Sequence, residues 1–134
     1  MRAVVTRVKE ASVTINGAVC AQIGRGFLVL LGVAPKDTEK EAAYLADRIT
    51  GVRIFADDLG KMNLNLAAVS GALLVVSQFT LYADLKSRRP GFTKAAKPET
   101  AAPLYEVFMA ECRKRGFTVE QGEFGADMQV ASVN

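Results

Sequence analysis

Two short runs of uninterrupted apolar residues constrain the fold of this chain more than any other feature. The first comprises residues 27–33, and the second comprises residues 72–76, directly after Gly71. A continuous apolar run of this length is typical of a strand buried on both faces. No run reaches the roughly eighteen apolar residues of a membrane-spanning helix. We therefore predict two buried strands in a single domain that comprises residues 1–134.

Weaker periodic patterns predict further strands in the first third of the chain. Val4, Thr6 and Val8 alternate with Ala3, Val5 and Arg7, as residues on the two faces of a strand do. Asn16-Gly17 separates two further strand-like segments. An Asn-Gly pair in that setting is the strongest short signal for a β-hairpin. We interpret this third as a β meander. Arg7 would share a strand face with two apolar side chains, where a guanidinium needs a partner.

Two helices follow from capping and periodicity. Thr38 and Glu41 form a capping box, and Gly51 ends the helix that it begins. A second helix is predicted to begin near Thr100. Further strands are predicted at residues 52–55, 117–121 and 128–133. The order of elements predicts an α+β domain with two helices on an antiparallel or mixed sheet.

The chain contains no histidine, which excludes several kinds of catalytic site. Ser-His-Asp and Cys-His nucleophile pairs are excluded, together with most catalytic zinc sites. Cys20 and Cys112 lie far apart without metal-site spacing, and we predict both to be small buried side chains. We expect no metal and no cofactor. The first residues lack the pattern of a signal peptide, so we expect a cytoplasmic protein.

Four residues with chemically useful side chains follow the second apolar run. Ser77, Gln78, Phe79 and Thr80 stand where a buried strand leaves the core. Buried polar groups are unfavourable unless they are paired, so such a cluster is typical of a site. An ordinary polar strand end, whose hydroxyls bond to neighbouring backbone, is the alternative. The residues alone leave both interpretations open.

Positive charge is concentrated in residues 85–98. This segment has five lysines and arginines and no carboxylate, which gives it a charge of +5. Because the net charge of the chain is +3, the remaining residues carry a net charge of −2. Basic clustering with proline, glycine and an aromatic residue is typical of a loop that faces phosphates. A solvated surface loop is the alternative. Residues 113–115 are interpreted as helix-end charges rather than RNA contacts.

Four motifs in one order carry a resemblance to a known family. They are GKMNLN, LLVVSQFTL, the basic RP-x-F segment and FGADMQV. The chain resembles the bacterial D-aminoacyl-tRNA deacylases, or D-Tyr-tRNA(Tyr) deacylases, from Met1 to Asn134. The resemblance implies a β-barrel-like α+β subunit and a homodimer with active sites at the subunit interface. It also implies hydrolysis of the ester in D-aminoacyl-tRNA, and in glycyl-tRNA mischarged on tRNA(Ala).

The resemblance further implies roles for individual residues. It assigns the catalytic pocket to Ser77, Gln78, Phe79 and Thr80. It assigns substrate binding to Met62, Asn63, Arg88, Arg89, Phe124 and Met128. The 2′-hydroxyl of the tRNA would help to activate water, while a backbone amide dipole at the Ser77–Thr80 segment stabilises the oxyanion. Phe124 and Met128 would lie near the terminal adenosine, although a place in the core is an equal alternative for both.

Two alternatives to this mechanism and function stay open. Thr80 could act as a covalent nucleophile, which requires a base, and Asp84 is the only nearby candidate. Family members also continue with an Asn-x-Gly-Pro motif that enters the partner's pocket and excludes L-amino acids, with Arg7 as its support. The 134 residues lack that motif. The alternative function is therefore a non-catalytic dimer that binds tRNA or another nucleic acid.

Overall fold

The central sheet of the computed structural model, which describes residues 1–134, contains both apolar runs as adjacent strands. The strands are β1 (Arg2–Val8), β2 (Glu10–Ile15), β3 (Ala18–Ile23), β4 (Gly26–Gly32), β5 (Phe55–Ala56), β6 (Met62–Leu64), β7 (Ala72–Ser77), β8 (Val119–Gln121) and β9 (Gln129–Val133). The helices are α1 (Glu39–Gly51) and α2 (Pro98–Lys114). The order in the central sheet is β1-β4-β7-β8. The two runs form β4 and β7, which are parallel and buried as predicted.

A second sheet has the order β3-β2-β9, and it shows that the predicted β meander is wrong. The Asn16-Gly17 hairpin is confirmed, with φ of 50° and 79° as a type I′ turn requires. However, β1 pairs with β4 rather than with β2. The chain changes sheet between β1 and β2. Alternation along a strand shows which face is buried but not which strand lies beside it, so the sequence pattern could not reveal this change.

Two hydrophobic cores lie on the two faces of the central sheet. One fills the space between the sheets, and the other lies between the central sheet and the helices, where Phe27, Val75 and Phe108 are fully buried. The predicted α+β class with two helices is confirmed. The two sheets enclose a core but remain open, with β1 and β8 at the edges of one and β3 and β9 at the edges of the other.

The helix ends follow their sequence signals. Thr38 is the N-cap of α1, and its capping box with Glu41 is present. Helix α2 begins at Pro98, two residues before the predicted start, because proline is tolerated at the first helical position. The strand predicted at residues 52–55 is reduced to the short β5. No helix is long and apolar enough to cross a membrane.

The two cysteines have different environments. Cys112 is buried on α2 as predicted, and burial raises the pKa of its thiol to about 11. The prediction that Cys20 is buried is wrong, since it is exposed on β3. Strand β3 is at an edge of its sheet, and its residues 18–20 are exposed. The apolar residues beside Cys20 in the sequence suggested a buried position, but they do not show that the strand is at an edge.

Candidate active site

A cleft of about 610 Å³ lies at the carboxyl ends of β4 and β7. Its walls come from these strand ends, the first turns of α2 and the segment that leads into β9. Thirteen of its nineteen lining residues are hydrophobic. A volume of this size and a mainly apolar lining are typical of a site for a small ligand or for one end of a larger one.

The parallel pairing of β4 and β7 places the predicted polar residues at the cleft. Ser77 pairs with Leu31 at the end of both strands, and the Gln78 amide donates to the Leu31 carbonyl at 2.8 Å. The chain then forms a 3₁₀ turn at Phe79–Tyr82. Ser77, Gln78 and Phe79 line the cleft, whereas Thr80 does not. The expectation of buried polar groups fits only Ser77 and Gln78, which are half-buried, because Phe79 and Thr80 are exposed.

The turn leaves two backbone donors available. The amides of Phe79 and Thr80 are the first two of the turn, and neither donates to an acceptor in the protein. The first amides of any helical turn lack an intrahelical partner. Two hydrogen bonds hold the turn in place. The Gln78 amide donates to the Leu31 carbonyl at 2.8 Å, and the Leu81 amide donates to the Gln78 carbonyl at 3.2 Å. Fixed, unpaired donors at a cleft can stabilise a developing oxyanion.

The surroundings of Thr80 do not contain an available base. Its hydroxyl accepts from the Gln78 side-chain amide and contacts no carboxylate. Asp84 is 3.3 Å from the Lys94 ammonium, and it also accepts from the Lys86 amide. Hydrogen bonds from Lys86 and Lys94 lower the pKa of the Asp84 carboxyl. A carboxylate that is already paired in this way is a weak proton acceptor.

The back wall of the cleft is fixed by the carbonyl of Val75. This oxygen accepts from the Tyr105 hydroxyl at 2.6 Å and from the Gly122 amide at 3.1 Å. Burial raises the pKa of the Tyr105 phenol, which therefore remains a neutral donor. A Cβ at residue 122 would lie 2.4 Å from the Met128 sulfur, so the glycine lets Met128 pack against the backbone here.

Phe124 and Met128 lie in the cleft together with Ser77, as the resemblance implies. Phe124 is 37% exposed, which excludes the alternative that it belongs to the core. Its ring centroid is 6.1 Å from that of Tyr105. Met128 is half-buried and also packs against the core between the two sheets. The two side chains therefore form an apolar wall opposite the end of β7.

The cleft also contains residues to which the sequence analysis assigned no place in a pocket. Tyr105, Lys97 and Asp127 line it, and so does Phe92, whose ring packs edge-on against Phe79 at 4.9 Å. Tyr105 lies three residues before Phe108 on the buried face of α2, so helical spacing could have identified it. The other contacts depend on the path of the loop, which has no periodic signal in the sequence.

Met62, Asn63 and Arg7 do not line the cleft. Phe55 of β5 stacks on Phe27 at 5.1 Å, which places β5 and β6 at the amino end of β4. The Arg7 guanidinium donates to the Ile54 carbonyl at 2.7 Å and is exposed. Phe27 and Leu31 are four residues apart on β4, so these groups lie on the order of 13 Å or more from the cleft.

Arg88 and Arg89 also lie outside the cleft wall. Both are exposed in the loop between the 3₁₀ turn and α2. The base of this loop is closed by two hydrogen bonds between Asp84 and Gly91, of 2.8 and 2.9 Å. Phe92 follows directly and lines the cleft, so the loop that carries the two arginines joins the cleft wall at its base.

Comparisons with known proteins identify the family. A family model described as D-Tyr-tRNA(Tyr) deacylase matches residues 4–134. The D-aminoacyl-tRNA deacylases of Exiguobacterium sp. and Thermus aquaticus are each 56% identical to the chain over 135 aligned positions, which cover 100% of the chain and 92% and 89% of these relatives.

Two solved structures have the same fold. One is described as "c-Myc DNA Unwinding Element Binding Protein", with a TM-score of 0.94 at 41% identity, covering 100% of this chain and 92% of that one. The other is described as a probable eukaryotic D-amino acid tRNA deacylase, with a TM-score of 0.84 at 15% identity, covering 97% and 91%. Because only 15% of the residues are identical, the similarity to the second structure shows the fold alone. The family expected from the four motifs is confirmed, and the chain belongs to the D-Tyr-tRNA(Tyr) deacylase family.

Proposed function

We propose that this chain hydrolyses the ester between a D-amino acid and the 3′-terminal adenosine of tRNA, and releases the free D-amino acid and the tRNA. The observation that carries the proposal is the pair of unpaired amides of Phe79 and Thr80 beside an apolar cleft. The names of its relatives support the same reaction. We place the reaction in the cytoplasm, where aminoacyl-tRNA is used, and extend it to glycyl-tRNA(Ala) because glycine has no side chain to exclude.

The proposed chemistry uses backbone donors and the substrate's own hydroxyl. The amides of Phe79 and Thr80 bond to the ester carbonyl oxygen and stabilise its negative charge as water adds. The neighbouring 2′-hydroxyl of the terminal ribose orients that water. The bond from the carbonyl carbon to the 3′-oxygen then breaks, and the 3′-oxygen takes the proton that the water loses. No side chain of the protein needs to titrate, which agrees with the lack of histidine and with the paired state of Asp84.

The cleft supports a division into two subsites. Ser77 and Gln78 at the end of β7 supply polar contacts for the aminoacyl group. Phe124 and Met128 on the opposite wall supply an aromatic face and a thioether for the terminal adenine, since bases stack on such side chains. A cleft of about 610 Å³ is large enough for one aminoacyl-nucleoside, with the rest of the tRNA outside.

A homodimer with shared active sites explains the two separated groups of predicted residues. Met62, Asn63 and Arg7 lie at one end of the central sheet and the cleft lies at the other. In a symmetric dimer the same two patches meet twice, so one chain's β5–β6 end can complete the partner's cleft. Two active sites at the subunit interface follow from this arrangement.

A second candidate function is the binding of nucleic acid without catalysis. It is favoured by the 41% identical structure whose description names a DNA-binding protein, and by the exposed basic loop at residues 85–98. In this case tRNA would bind in a salt-dependent manner and the ester would remain intact.

A deacylation assay with matched D- and L-tyrosyl-tRNA separates the two functions. The enzyme hypothesis predicts release of D-tyrosine well above the spontaneous rate, and Thr80→Ala should retain near-normal turnover because the hydroxyl has no base. Salt-dependent binding of tRNA without release of tyrosine would support the second function. The assay includes a version of the chain with an appended Asn-x-Gly-Pro segment, since no Gly-Pro pair occurs in these 134 residues. Preference for the D-ester is expected to be strongest in that version.

A further inference from the structure

We propose that residues 84–97 form a second binding subsite, which holds the internucleotide phosphates immediately 5′ of the terminal nucleotide of the substrate RNA. This subsite presupposes the function proposed above, because it assumes that an aminoacylated 3′ end occupies the cleft. It would make an ester on an oligonucleotide a better substrate than the same ester on adenosine alone.

The first support is that the loop has a fixed shape. Its base is closed by the two Asp84–Gly91 hydrogen bonds of 2.8 and 2.9 Å. Inside it, the Asp84 carboxylate accepts from the Lys86 amide at 3.0 Å, and the Ser87 hydroxyl donates to the Arg89 carbonyl at 2.7 Å. A loop held by its own hydrogen bonds presents its charged side chains from a stable backbone, so less ordering is required when a ligand binds.

The second support is that most of the positive charges of the loop have no carboxylate nearby to neutralise them. The only acidic group of the loop, Asp84, is paired with Lys94 at 3.3 Å. The remaining cations are exposed and have no carboxylate within salt-bridge distance: Lys86, Arg88, Arg89 and Lys97. A solvated protein surface normally mixes both signs of charge. Four unpaired cations in one short segment therefore favour an anionic ligand.

The third support is the position of the loop relative to the cleft. Lys97 lines the cleft itself, and Phe92 packs on Phe79 at its edge, whereas Arg88 and Arg89 lie at the far end of the loop. Six residues, 85–90, lie between the paired Asp84 and Gly91, so the tip is at most three residues from the base, a reach of about 10 Å when extended. Successive phosphates of one strand are at least about 3.4 Å apart along the axis. The cations therefore extend over two or three phosphates that lead away from the terminal nucleotide.

The chemistry of the cations fits phosphodiesters. Arginine forms bidentate hydrogen bonds with phosphate oxygens, and lysine provides a point charge. Neither reads base identity from the backbone, so the subsite would hold any RNA 3′ strand and leave selection of the aminoacyl group to the cleft. The predicted ligand is thus a single-stranded RNA end that carries at least two internucleotide phosphates.

The test compares kcat/KM for D-tyrosyl esters of adenosine and of the trinucleotide CCA. It uses the wild type, Arg88→Gln/Arg89→Gln, and the matched control Arg48→Gln/Lys114→Gln, whose cations are equally exposed and unpaired but lie in the last turns of α1 and α2. In the loop variant we expect the ratio of trinucleotide to adenosine kcat/KM to fall roughly 5- to 30-fold. The ratio should be unchanged in the control. An unchanged ratio in the loop variant, or an equal fall in the control, would overturn the subsite.

A binding measurement keeps this test separate from the proposed reaction. Fluorescence anisotropy of an uncharged 12-nucleotide RNA gives the slope of log Kd against log salt for each variant. Loss of two phosphate contacts should reduce that slope by about 1.4 in the loop variant and leave the control at the wild-type value. If the wild type cleaves no ester but the slopes differ, the proposed reaction fails together with the subsite beside its ester, and the loop is a general RNA-binding surface. If it cleaves esters and the slopes agree, the subsite fails alone.

Discussion

Phe79 contributes both a ring and a backbone amide to the candidate site, and the two contributions can be separated. The ring is more than half exposed and packs edge-on against Phe92, while the unpaired N–H lies at the start of the 3₁₀ turn. An oxyanion donor of this kind does not depend on side-chain chemistry. Substitutions that change only the side chain at this position therefore test binding, and one that removes the N–H tests catalysis.

Phe79→Pro removes the amide donor, and Phe79→Ala keeps it. Proline suits the first position of a helical turn, and Gln78 before it, with φ of −145° and ψ of 80°, lies outside the helical region that a following proline disfavours. We expect Phe79→Pro to lower kcat about 10²- to 10³-fold relative to Phe79→Ala, as for loss of one oxyanion donor. Single-turnover hydrolysis of D-tyrosyl-tRNA measures both rates. Equal rates for the two variants would contradict a role for this amide.

Arg2 holds the turn from the edge of β1. Its guanidinium donates to the Leu81 carbonyl at 2.6 Å and lies 4.5 Å from the centroid of the Tyr82 ring. In a double-mutant cycle of Arg2→Ala and Tyr82→Leu, we expect a coupling free energy of about 0.5–1 kcal/mol from the cation–π contact. Urea unfolding of the four proteins measures it. A coupling of zero would show that the contact between Arg2 and the Tyr82 ring does not stabilise the turn, and would leave the hydrogen bond to Leu81 as the contribution of Arg2.

Two elements, the segment after β8 and helix α2, determine the width of the cleft. The Gly122 amide and the Tyr105 hydroxyl both donate to the Val75 carbonyl of β7. Both elements are therefore attached to the central sheet through the same oxygen. Met128 fills the space above Gly122. The cleft wall formed by Phe124 and Met128 is therefore sensitive to the volume of residue 122.

Gly122→Ala should displace Met128 from its place against the backbone. Its new Cβ would lie 2.4 Å from the Met128 sulfur, whereas a Cβ at Gly24 would meet nothing within 4 Å. We expect a loss of roughly 1 kcal/mol in the free energy of unfolding and a several-fold rise in KM, with kcat little changed. Gly24→Ala is the matched control and should change neither KM nor kcat. A lowered kcat with normal KM in Gly122→Ala would contradict a role of this wall in binding.

The elements could be predicted from the sequence where one local signal decides them. The capping box at Thr38, the Asn16-Gly17 turn and the apolar runs of β4 and β7 each have such a signal, and all are confirmed. The pairing of β1 with β4 has none, because it joins residues that are 18 to 30 positions apart in the sequence. The four motifs and the basic segment also contain Phe92 and Lys97, but their place in the cleft depends on the path of the loop, which no local signal shows.

The stability of the whole molecule should fall at alkaline pH because of buried acids. Burial raises the pKa of the Cys112 thiol from 9.0 to about 11. Above pH 9 the unfolded chain therefore releases a proton that the folded chain keeps, so stability falls by up to about 1.4 kcal/mol per pH unit until pH 11. Urea unfolding at pH 8, 9 and 10 measures this slope.

Two cysteine variants test the origin of the alkaline slope. Cys112→Ala should reduce the fall in the free energy of unfolding between pH 9 and pH 10, although a smaller side chain lowers stability at every pH. Cys20→Ala is the control, since Cys20 is exposed and should leave the slope at its wild-type value. A slope that is the same in all three proteins would assign the loss to other groups, of which Tyr105 is the first candidate because burial raises its pKa too.

The separation of the two groups of site residues leads to a prediction about two chains. Phe79→Pro damages the cleft and Asn63→Ala damages the opposite end, where the Asn63 side chain donates to the Asp57 carboxylate and accepts from the Arg53 guanidinium. If one chain's β5–β6 end completes the partner's cleft, a mixed dimer contains one site with both parts intact. Half of randomly mixed dimers are mixed and each has one such site of two, so about a quarter of wild-type activity should return.

Co-refolding of the two variants in equal amounts tests this directly. Light scattering should first give a mass near twice 14.4 kDa, and native mass spectrometry should show the mixed dimer. Full activity of Asn63→Ala by itself would contradict a shared site, and so would inactivity of a verified mixed dimer. A site confined to one chain cannot be restored by mixing, because each chain of the mixed dimer would still carry one defect. Recovery of activity therefore requires that residues from two copies act on one ester.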